Sequence, residues 1–256
     1  MFRQVVPESL VKEAVRSICD FAGAWPEDPA SWLRLPPEND DVVPLHHAPA
    51  LWKIRMYPAV YAAFCEIYGT ERLWVSMDRA RFRAPNGHAR VPVSERLAWS
   101  GDPRGAHPGV VHGMLFLTDL SAESGGFRCS PAVYREIESW WRERPSADWR
   151  VPELGEAPVE SVSARAGDLL VWDPRLPCSA STNLGDRPHI AQFVTMMPTE
   201  IFSDPERERR KRVRLFTERR APENQRGWAG QPDPELAFSI ELTELARKLI
   251  GFEPWG

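Results

Sequence analysis

GDLLVWDPRLPCSASTNLGDRPHIAQFVTM, residues 167–196, is the stretch that decides the fold of this chain. Gly167-Asp168 is a turn signal, and the apolar run at 169–172 has the length of a β-strand. A polar turn rich in Ser, Thr and Asn follows, and residues 190–196, after Pro188, form a second strand candidate. Two strands joined in this way bring polar side chains to the mouth between them, as in a β-barrel or jelly roll. We therefore predict a β domain with a site at this hairpin.

The composition is that of one globular domain. The chain has 256 residues, of which 43% are hydrophobic and 27% charged, so it can bury a sizeable core. We expect a single domain over residues 1–256, with N-terminal helices at about 1–70 and C-terminal helices at about 204–250 packed around the β core. The sequence contains neither an internal repeat nor a linker that would indicate a second domain.

Charge and cysteine usage exclude several classes of function. The net charge of −4 argues against general attraction to nucleic acid or to an anionic membrane. No apolar run approaches the roughly 20 residues of a membrane span, and the N-terminus MFRQVVPESL lacks a signal-peptide core, so a cytoplasmic protein is expected. The four cysteines are dispersed, which favours reduced thiols over a disulfide framework or a zinc site. The expected partner is a small molecule, and the oligomeric state stays open.

Hydrophobic periodicity places further elements along the chain. Helices are predicted at 7–21, 50–69, 132–142, 205–220 and 235–249. Strands are predicted at 73–82, 96–100, 109–120 and 159–164. The helix at 205–220 carries charges of both signs, so we expect a solvated face rather than a nucleic-acid contact.

Two groups of polar side chains outside the hairpin need an interpretation. His46 and His47 lie in a segment rich in Pro, Asp and His, and adjacent residues of an extended chain point to opposite sides. A solvated loop is therefore predicted rather than a shared ligand site. Arg79, Arg81 and Arg83 share one side of the predicted strand at 73–82. That pattern favours a solvated or ion-paired face, with an anion contact near the barrel mouth as the alternative.

The hairpin also carries a resemblance to a known family. Its matching residues are Gly167, Asp168, Leu169, Trp172, Leu176, Pro177, Asn183 and Pro188. Placed in this order, they resemble the closing hairpin of the phytanoyl-CoA dioxygenase family, which are non-haem iron(II), 2-oxoglutarate-dependent oxygenases. Similar segments at 74–78, 113–119, 125–131 and 242–251 extend the resemblance over about residues 45–256. It implies an α+β fold with a double-stranded β-helix core, of the jelly-roll or cupin-like kind, flanked by helices.

The resemblance also locates the cofactor positions, and all of them differ from the family pattern. The family binds iron through two His and one carboxylate, which leaves positions open for 2-oxoglutarate and oxygen. The His-x-Asp positions fall on Ala98 and Ser100, the third ligand falls on Cys178, and the 2-oxoglutarate-binding Arg falls on His189. A methyl group and a neutral hydroxyl cannot hold ferrous iron, and one imidazole cannot reproduce the bidentate grip of Arg on a carboxylate. We therefore expect neither iron nor 2-oxoglutarate as cofactor. A metal site rearranged onto Asp102, His107 or His112 is the alternative.

The remaining side chains of the family pocket define the candidate site. The catalytic candidates are His189, His112, Cys178 and Ser100, and the substrate-binding candidates are Trp99, Asp102, Trp172 and Arg81. The histidines could act as general acid or base. The Cys could become a thiolate nucleophile beside a His, although a small apolar filler is favoured. Packing is the first interpretation of the two Trp residues, and an aromatic wall for a flat substrate is the second.

Three functions follow from this reasoning. The preferred one is a metal-independent enzyme on the oxygenase fold, which catalyses a redox-neutral cyclisation, isomerisation, elimination or hydration of a small apolar metabolite. The second is a non-catalytic ligand-binding relative. The third is an iron/2-oxoglutarate oxygenase with unusual ligands. Fold resemblance bears on architecture more directly than on function.

Overall fold

A computed structural model describes residues 1–35, 41–86, 96–105, 109–144, 147–148, 154–222 and 240–255. The helices in these residues are α1 (Glu8–Ala22), α2 (Pro29–Trp32), α3 (Pro49–Arg55), α4 (Pro58–Tyr68), α5 (Pro131–Arg135), α6 (Ile137–Glu143), α7 (Pro205–Thr217) and α8 (Glu244–Ile250). The strands are β1 (Val42–Val43), β2 (Leu73–Val75), β3 (Ala80–Arg83), β4 (His112–Phe116), β5 (Phe127–Cys129), β6 (Glu160–Ser161), β7 (Leu169–Trp172), β8 (Cys178–Ala180), β9 (His189–Phe193) and β10 (Met196–Pro198).

Most strands belong to two antiparallel sheets that face each other. The larger sheet has the order β1-β3-β9-β4-β7 and the smaller the order β6-β5-β8, while β10 pairs with β2. Ala98 adds an isolated bridge to Cys178 beside the smaller sheet. Phe116 from the larger sheet and Phe127 from the smaller share one apolar cluster between them. The predicted α+β fold, a double-stranded β-helix flanked by helices, is thereby confirmed.

Strand alternation divides the side chains of the larger sheet between two environments. On β4, Met114 and Phe116 point into the barrel interior, whereas Leu115 between them points to the outer face. On β9, Ala191 is inside and Ile190 is outside. The outer face is covered by an apolar cluster that includes α1, α3, α4 and α8. This cover leaves the interior between the two sheets as the place for polar groups with a function.

The turn at the start of the fold-deciding stretch has the predicted form. Gly167 has a φ of 92°, which a residue with a Cβ rarely adopts. The Asp168 carboxylate accepts hydrogen bonds from the backbone N–H groups of Gln4 at 2.8 Å and Arg165 at 2.9 Å. Phe2 in turn bridges to Leu169 at the edge of the larger sheet. The Gly-Asp pair therefore both makes the turn and ties the N-terminus to the barrel.

The predicted pairing of the hairpin is wrong. Strands β7 and β9 do not pair with each other; each pairs with β4, on opposite sides. Strand β8, between them in the sequence, belongs to the other sheet. Apolar runs and turn residues locate strands, but they carry no information about partners that are distant in sequence. The barrel therefore uses a crossover where a direct hairpin was expected.

Several predicted elements are shorter or divided. The helix predicted at 50–69 is split into α3 and α4, because Pro58 disfavours helical geometry at Tyr57, where ψ is 129°. The strand predicted at 73–82 becomes β2 and β3, which lie in different sheets. The helix at 132–142 divides into α5 and α6. The predicted strands at 96–100, 109–120 and 159–164 shrink to the Ala98 bridge, β4 and β6. Of the helix predicted at 235–249, residues 235–239 lie outside the described part.

The prediction of a solvated loop for His46 and His47 is wrong. The two side chains are 0% and 3% exposed, beneath α3 and α7. His46 Nδ1 lies 3.1 Å from the carbonyl oxygen of Met77, and His47 Nε2 lies 2.8 Å from that of Arg220. Segments distant in sequence cover the loop, so its polar composition alone does not predict exposure.

Helix α7 has a buried side as well as the solvated face that was expected. Arg212 is 4% exposed, and its guanidinium donates to the carbonyl oxygens of Val75 on β2 and Leu249 on α8. It also lies 5.6 Å from the ring of Trp74. One charged residue thus joins α7, β2 and α8. No helix among the described residues is long and apolar enough to cross a membrane.

Candidate functional site

The polar groups of the barrel interior come from two paired strands, β3 and β9. In the antiparallel register Arg83 lies opposite His189, and Arg81 lies opposite Ala191. Since alternate residues of a strand share a face, Arg81, Arg83 and His189 all point to the interior side of the larger sheet. This local arrangement follows from the spacing of the arginines, which the sequence showed, and from a register that it did not.

His189 is buried without a hydrogen-bond partner. Its side chain is 1% exposed, and neither ring nitrogen is hydrogen-bonded in the described part of the chain. The backbone of Gly125 lies nearby without making a hydrogen bond of normal geometry. Burial, and then the charges of Arg81 and Arg83, lower the pKa of His189 to about 3. The ring is therefore neutral at pH 7, with one donor and one acceptor facing its surroundings.

The two arginines of β3 have different roles. Arg83 is 2% exposed, and its Nε donates to Asp41 at 2.6 Å. It also donates to the carbonyl oxygens of Gly125, at 3.3 Å, and Ser181. Arg83 therefore holds three segments around the barrel end. Arg81 is partly exposed, and its guanidinium lies 5.4 Å from the ring of Phe193 inside the barrel.

The charge of Arg81 changes the pKa of two of the candidate groups, His189 and Cys178. It lowers the pKa of His189 and opposes the rise of the pKa of Cys178, so the guanidinium lies close to both. Arg79, two residues earlier in the chain, pairs instead with Asp78, and 3.9 Å separates its Nε from the carboxylate oxygen. The predicted arginine face thus contributes one structural cation, Arg83, and one cation beside the candidate site, Arg81.

Cys178 begins β8 and faces the interior from the smaller sheet. It pairs with Ala98 through two backbone hydrogen bonds of 2.9 and 3.1 Å, and on its other side it lies opposite Cys129. Burial and the neighbouring Cys129 raise the pKa of the Cys178 thiol to about 12. The thiol is therefore protonated at neutral pH, as expected of a packed cysteine and not of a catalytic nucleophile, and its sulfur reacts only slowly.

Aromatic rings form one wall of the interior. His112 on β4 lies opposite Trp172 on β7, with ring centroids 5.6 Å apart. Trp172 in turn packs against Phe127 of the smaller sheet at 4.7 Å. His112 and Trp172 are both partly exposed, so this wall is open to solvent at one end. The predicted site residues did not include Phe127, Phe193 or Cys129. The register between β5 and β8, which the sequence does not show, places Cys129 opposite Cys178 and Phe127 opposite Ala180.

The other predicted site residues lie apart from this group. Trp99 points away from the barrel, packs against Trp140 and Trp141 at 5.2 and 5.1 Å, and donates through Nε1 to the Arg175 carbonyl oxygen at 2.7 Å. Ser100 is exposed. Asp102 is 39% exposed and pairs with Arg104 at 2.8 Å. His189 packs against Phe116 at 5.8 Å, near the end of β4, whereas His112 and Trp172 face each other at the start of that strand. Trp99, Ser100 and Asp102 lie apart from both groups.

The positions that the resemblance assigns to the family's cofactors carry a methyl group at Ala98, an exposed hydroxyl at Ser100, a protonated thiol at Cys178 and a neutral imidazole at His189. Within the described residues no three His, Cys, Asp or Glu side chains are grouped so that they could bind a metal ion. Of the predicted substitutes, Asp102 faces Arg104 and His112 faces Trp172. His107 lies outside the described residues.

A separate cleft of about 910 Å³ lies beside α1. Lys12 and Arg16 of α1 line it, together with Asp119, Arg165 and Asp186 from the barrel loops. None of the interior residues described above reaches it. Its lining mixes positive and negative side chains, so it defines no class of ligand.

A jelly-roll barrel with an interior of polar and aromatic side chains defines a cupin-like protein of the oxygenase-fold class. The sequence pattern of the family described as phytanoyl-CoA dioxygenase (PhyH) matches residues 11–191. The chain therefore belongs to the phytanoyl-CoA dioxygenase family, and the predicted family is confirmed. The match begins further towards the N-terminus than the expected span of 45–256 and stops before α7.

Individual relatives are distant. A putative phytanoyl-CoA dioxygenase of Dictyostelium discoideum is 20% identical over 263 residues, covering 82% of this chain and 75% of that protein. The crystal structure of GlcNAc Inducible Gene 2, GIG2 (DUF1479), from Candida albicans is 12% identical, with a TM-score of 0.69 over 98% of this chain and 73% of that one. The non-heme alpha ketoglutarate dependent epimerase SnoN from nogalamycin biosynthesis is 14% identical, with a TM-score of 0.53 over 77% and 76%. At these identities the structural likenesses show the fold alone.

Proposed function

We propose that the barrel interior binds a small, largely apolar metabolite with an anionic group and catalyses a metal-independent, redox-neutral step on it. The observation that carries this proposal is the buried, unpartnered ring of His189 beside the cation Arg81. A buried polar group without a hydrogen bond destabilises a protein by roughly 1–3 kcal/mol. A ligand that supplies the missing partner is one explanation for such a group, and the neighbouring charge of Arg81 favours it here.

The surroundings define the chemistry of the ligand. Arg81 supplies a positive charge, and the neutral His189 ring supplies one N–H donor and one acceptor nitrogen. Trp172, Phe127 and Phe193 supply aromatic surface. A carboxylate attached to a flat apolar body matches both parts, with its charge at Arg81 and its body against the rings. SnoN, which shares the fold, comes from nogalamycin biosynthesis, and we propose secondary metabolism as the setting of this chain too.

The family's cofactors do not fit the residues present. Ferrous iron in this fold needs two imidazoles and a carboxylate, whereas the corresponding positions hold Ala98, Ser100 and the protonated Cys178. The family's 2-oxoglutarate arginine is replaced by His189, which is neutral and cannot form the two parallel hydrogen bonds of a guanidinium. We therefore propose that this chain has lost the metal site and that its reaction uses neither iron nor 2-oxoglutarate.

The interior can move a proton without a metal. The acceptor nitrogen of His189 removes a proton from the carbon next to the substrate's carbonyl or carboxyl group, and the electron pair enters the neighbouring double bond. The same proton, now on His189, is returned to another carbon, which completes an isomerisation without net oxidation. The bound anion raises the pKa of His189 from its low value, and Arg81 stabilises the negative charge that develops.

Binding is tested with phenylacetate and its neutral analogue phenylacetamide, on protein stripped of metal with a chelator. We expect phenylacetate to quench tryptophan fluorescence through Trp172 and to bind about tenfold more tightly than the amide. Arg81→Gln removes that difference. Arg79→Gln, the matched control at the residue that precedes β3, leaves it intact. Equal binding of acid and amide to the wild-type protein contradicts the anionic substrate class.

Catalysis is tested with β,γ-unsaturated arylcarboxylic acids, such as 4-phenylbut-3-enoate, in D2O containing chelator. Deuterium incorporation or migration of the double bond, lost in His189→Gln, supports the proton transfer. A second candidate function, non-catalytic ligand binding, is favoured by the pKa values of His189 and Cys178, which both lie far from neutrality. Binding without any exchange supports that candidate. Succinate formed from 2-oxoglutarate after anaerobic iron loading would overturn the metal-independent function.

A further inference from the structure

Two thiols meet across the smaller sheet. Cys129 on β5 and Cys178 on β8 are direct partners in the antiparallel register, and both are free. Their side chains lie on the same face, inside the barrel, where both belong to the apolar cluster between the sheets. No other pair of the four cysteines is aligned in this way by a strand pairing.

The hydrogen bonding shows which kind of antiparallel pair this is. The N–H and C=O groups of Cys178 both bond to Ala98, on the side away from β5. The bonds between β5 and β8 are made by neighbouring positions instead, Ser130 N–H to the Pro177 oxygen at 3.1 Å and Ser181 N–H to the Gly126 oxygen at 2.9 Å. Cys129 and Cys178 therefore form a non-hydrogen-bonded pair, in which the Cα atoms are about 4.5 Å apart and the side chains are closest.

This separation suits a covalent link. A disulfide requires Cα atoms about 4.4–6.8 Å apart and Cβ vectors that point the same way, and the non-hydrogen-bonded pair meets both conditions. Chemical access is unequal, because Cys178 is partly exposed whereas Cys129 is 6% exposed. An oxidant that enters the barrel mouth therefore reaches Cys178 first, and Cys129 is placed to react second.

We propose that Cys129 and Cys178 are a redox-active dithiol, converted to an intramolecular disulfide by a peroxide. The Cys178 thiol loses its proton, a slow step at neutral pH because burial raises its pKa, and the sulfur attacks the peroxide. The O–O bond breaks, the proton passes to the leaving oxygen, and Cys178 becomes a sulfenic acid while one molecule of water or alcohol leaves. The Cys129 sulfur then displaces the sulfenic hydroxyl as water and forms the S–S bond. Two thiols lose two electrons and two protons, and the peroxide is reduced by the same two electrons.

The link has a direct consequence for the candidate site. It fixes β5 to β8 at the wall that faces Arg81, and it removes the thiol of Cys178 from the interior. The dithiol state is the one maintained in a reducing compartment, and the disulfide forms when peroxide rises. The link requires only the pairing of β5 with β8, whichever substrate the barrel binds.

Peptide mapping by mass spectrometry tests the proposal on the full-length protein. After treatment with hydrogen peroxide and alkylation of the remaining thiols, trypsin releases peptides that start at Cys129 and Leu176, because Arg128 and Arg175 precede them. We expect these peptides to be joined, with the loss of two hydrogen atoms, and to separate on reduction. Cys65→Ser, a matched control for a partly exposed cysteine without a strand partner, leaves the link intact, whereas Cys178→Ser abolishes it.

Two results would overturn the proposal. One is a wild-type protein whose Cys178 proceeds to sulfinic acid, or to a mixed disulfide with added glutathione, while Cys129 remains alkylated. The other is a link that uses Cys19 or Cys65 instead. Because both readouts come from the wild-type chain, they hold even where a Cys129→Ser variant fails to fold.

Discussion

Arg83 on β3 lies directly opposite His189 on β9, and the two side chains are 2% and 1% exposed. Arg83 is anchored by Asp41 and two backbone carbonyls, so its charge is satisfied. His189 has no such partner. Arg83 therefore contributes its hydrogen bonds to the stability of the fold, whereas the unpaired ring nitrogens of His189 lower that stability.

Replacing that ring by an apolar group tests this directly. We expect His189→Leu to raise the free energy of unfolding by about 1 kcal/mol, because leucine fills a similar volume without burying unpaired nitrogens. The same variant loses the binding of phenylacetate. Urea denaturation measures the first effect and fluorescence titration the second. A destabilised His189→Leu protein would show that the ring is satisfied in the folded state.

The charge of Arg81 predicts coupled shifts at two other residues. Removing it in Arg81→Gln raises the pKa of His189, because a positive neighbour no longer opposes the imidazolium. It also raises the pKa of the Cys178 thiol, because the thiolate loses its attractive partner. NMR titration of the histidine and the pH dependence of thiol alkylation measure the two shifts. Arg79→Gln is the control, and a shift of similar size in that variant contradicts the placement of Arg81.

How far the sequence predicts this fold is shown by the stretch at 167–196. The Gly167 turn and the β7 strand follow from local chemistry, whereas the inward position of His189 was expected only from the family resemblance. The pairing of β7 with β4 does not, because alternation decides which face is buried but not which strand lies alongside. For the same reason the sequence did not predict Cys129 as a site residue, because only the register between β5 and β8 places it opposite Cys178.

The buried pair His46 and His47 predicts acid sensitivity. Burial lowers the pKa of His46 to about 4 and that of His47 to about 3, against about 6.5 in an unfolded chain. As the pH falls below 6.5, His46 and His47 bind protons in the unfolded chain but stay neutral in the folded protein. The free energy of unfolding therefore decreases. Each group contributes a slope of up to about 1.4 kcal/mol per pH unit. The slope flattens once the pH falls below the folded-state values.

The measurement is the free energy of unfolding by urea between pH 7 and pH 4. His47→Phe removes one of the two contributions and keeps ring packing against Trp52 and Phe216, so we expect a shallower slope. An unchanged slope would mean that His47 is already protonated, or exposed, in the folded state.

Arg212 is expected to be the most sensitive position of α7. Arg212→Ala leaves the carbonyl oxygens of Val75 and Leu249 without their donor and opens a space beneath Trp74, so we expect a loss of about 3 kcal/mol in stability. Arg210→Ala, on the exposed side of the same helix, should change stability by less than about 0.5 kcal/mol. Similar losses in the two variants would contradict a specific role for the buried guanidinium.

Gly113 on β4 is where the barrel tolerates no side chain. A Cβ at this position would lie 2.0 Å from the Val194 carbonyl oxygen and 3.0 Å from the Phe64 ring. The backbone N–H of Val194 donates a hydrogen bond of 3.0 Å to the Gly113 oxygen. The Val194 carbonyl therefore cannot move away from the added Cβ without breaking that bond. Gly113→Ala should therefore separate β4 from the chain that follows β9 and destabilise the protein by several kcal/mol, at the upper end for single substitutions.

Gly101→Ala, whose Cβ would meet nothing within 4 Å, is the matched control. If thermal unfolding showed the two variants to be equally stable, the close approach of β4 to Val194 would be contradicted, and with it the register that directs His112 and Phe116 into the barrel.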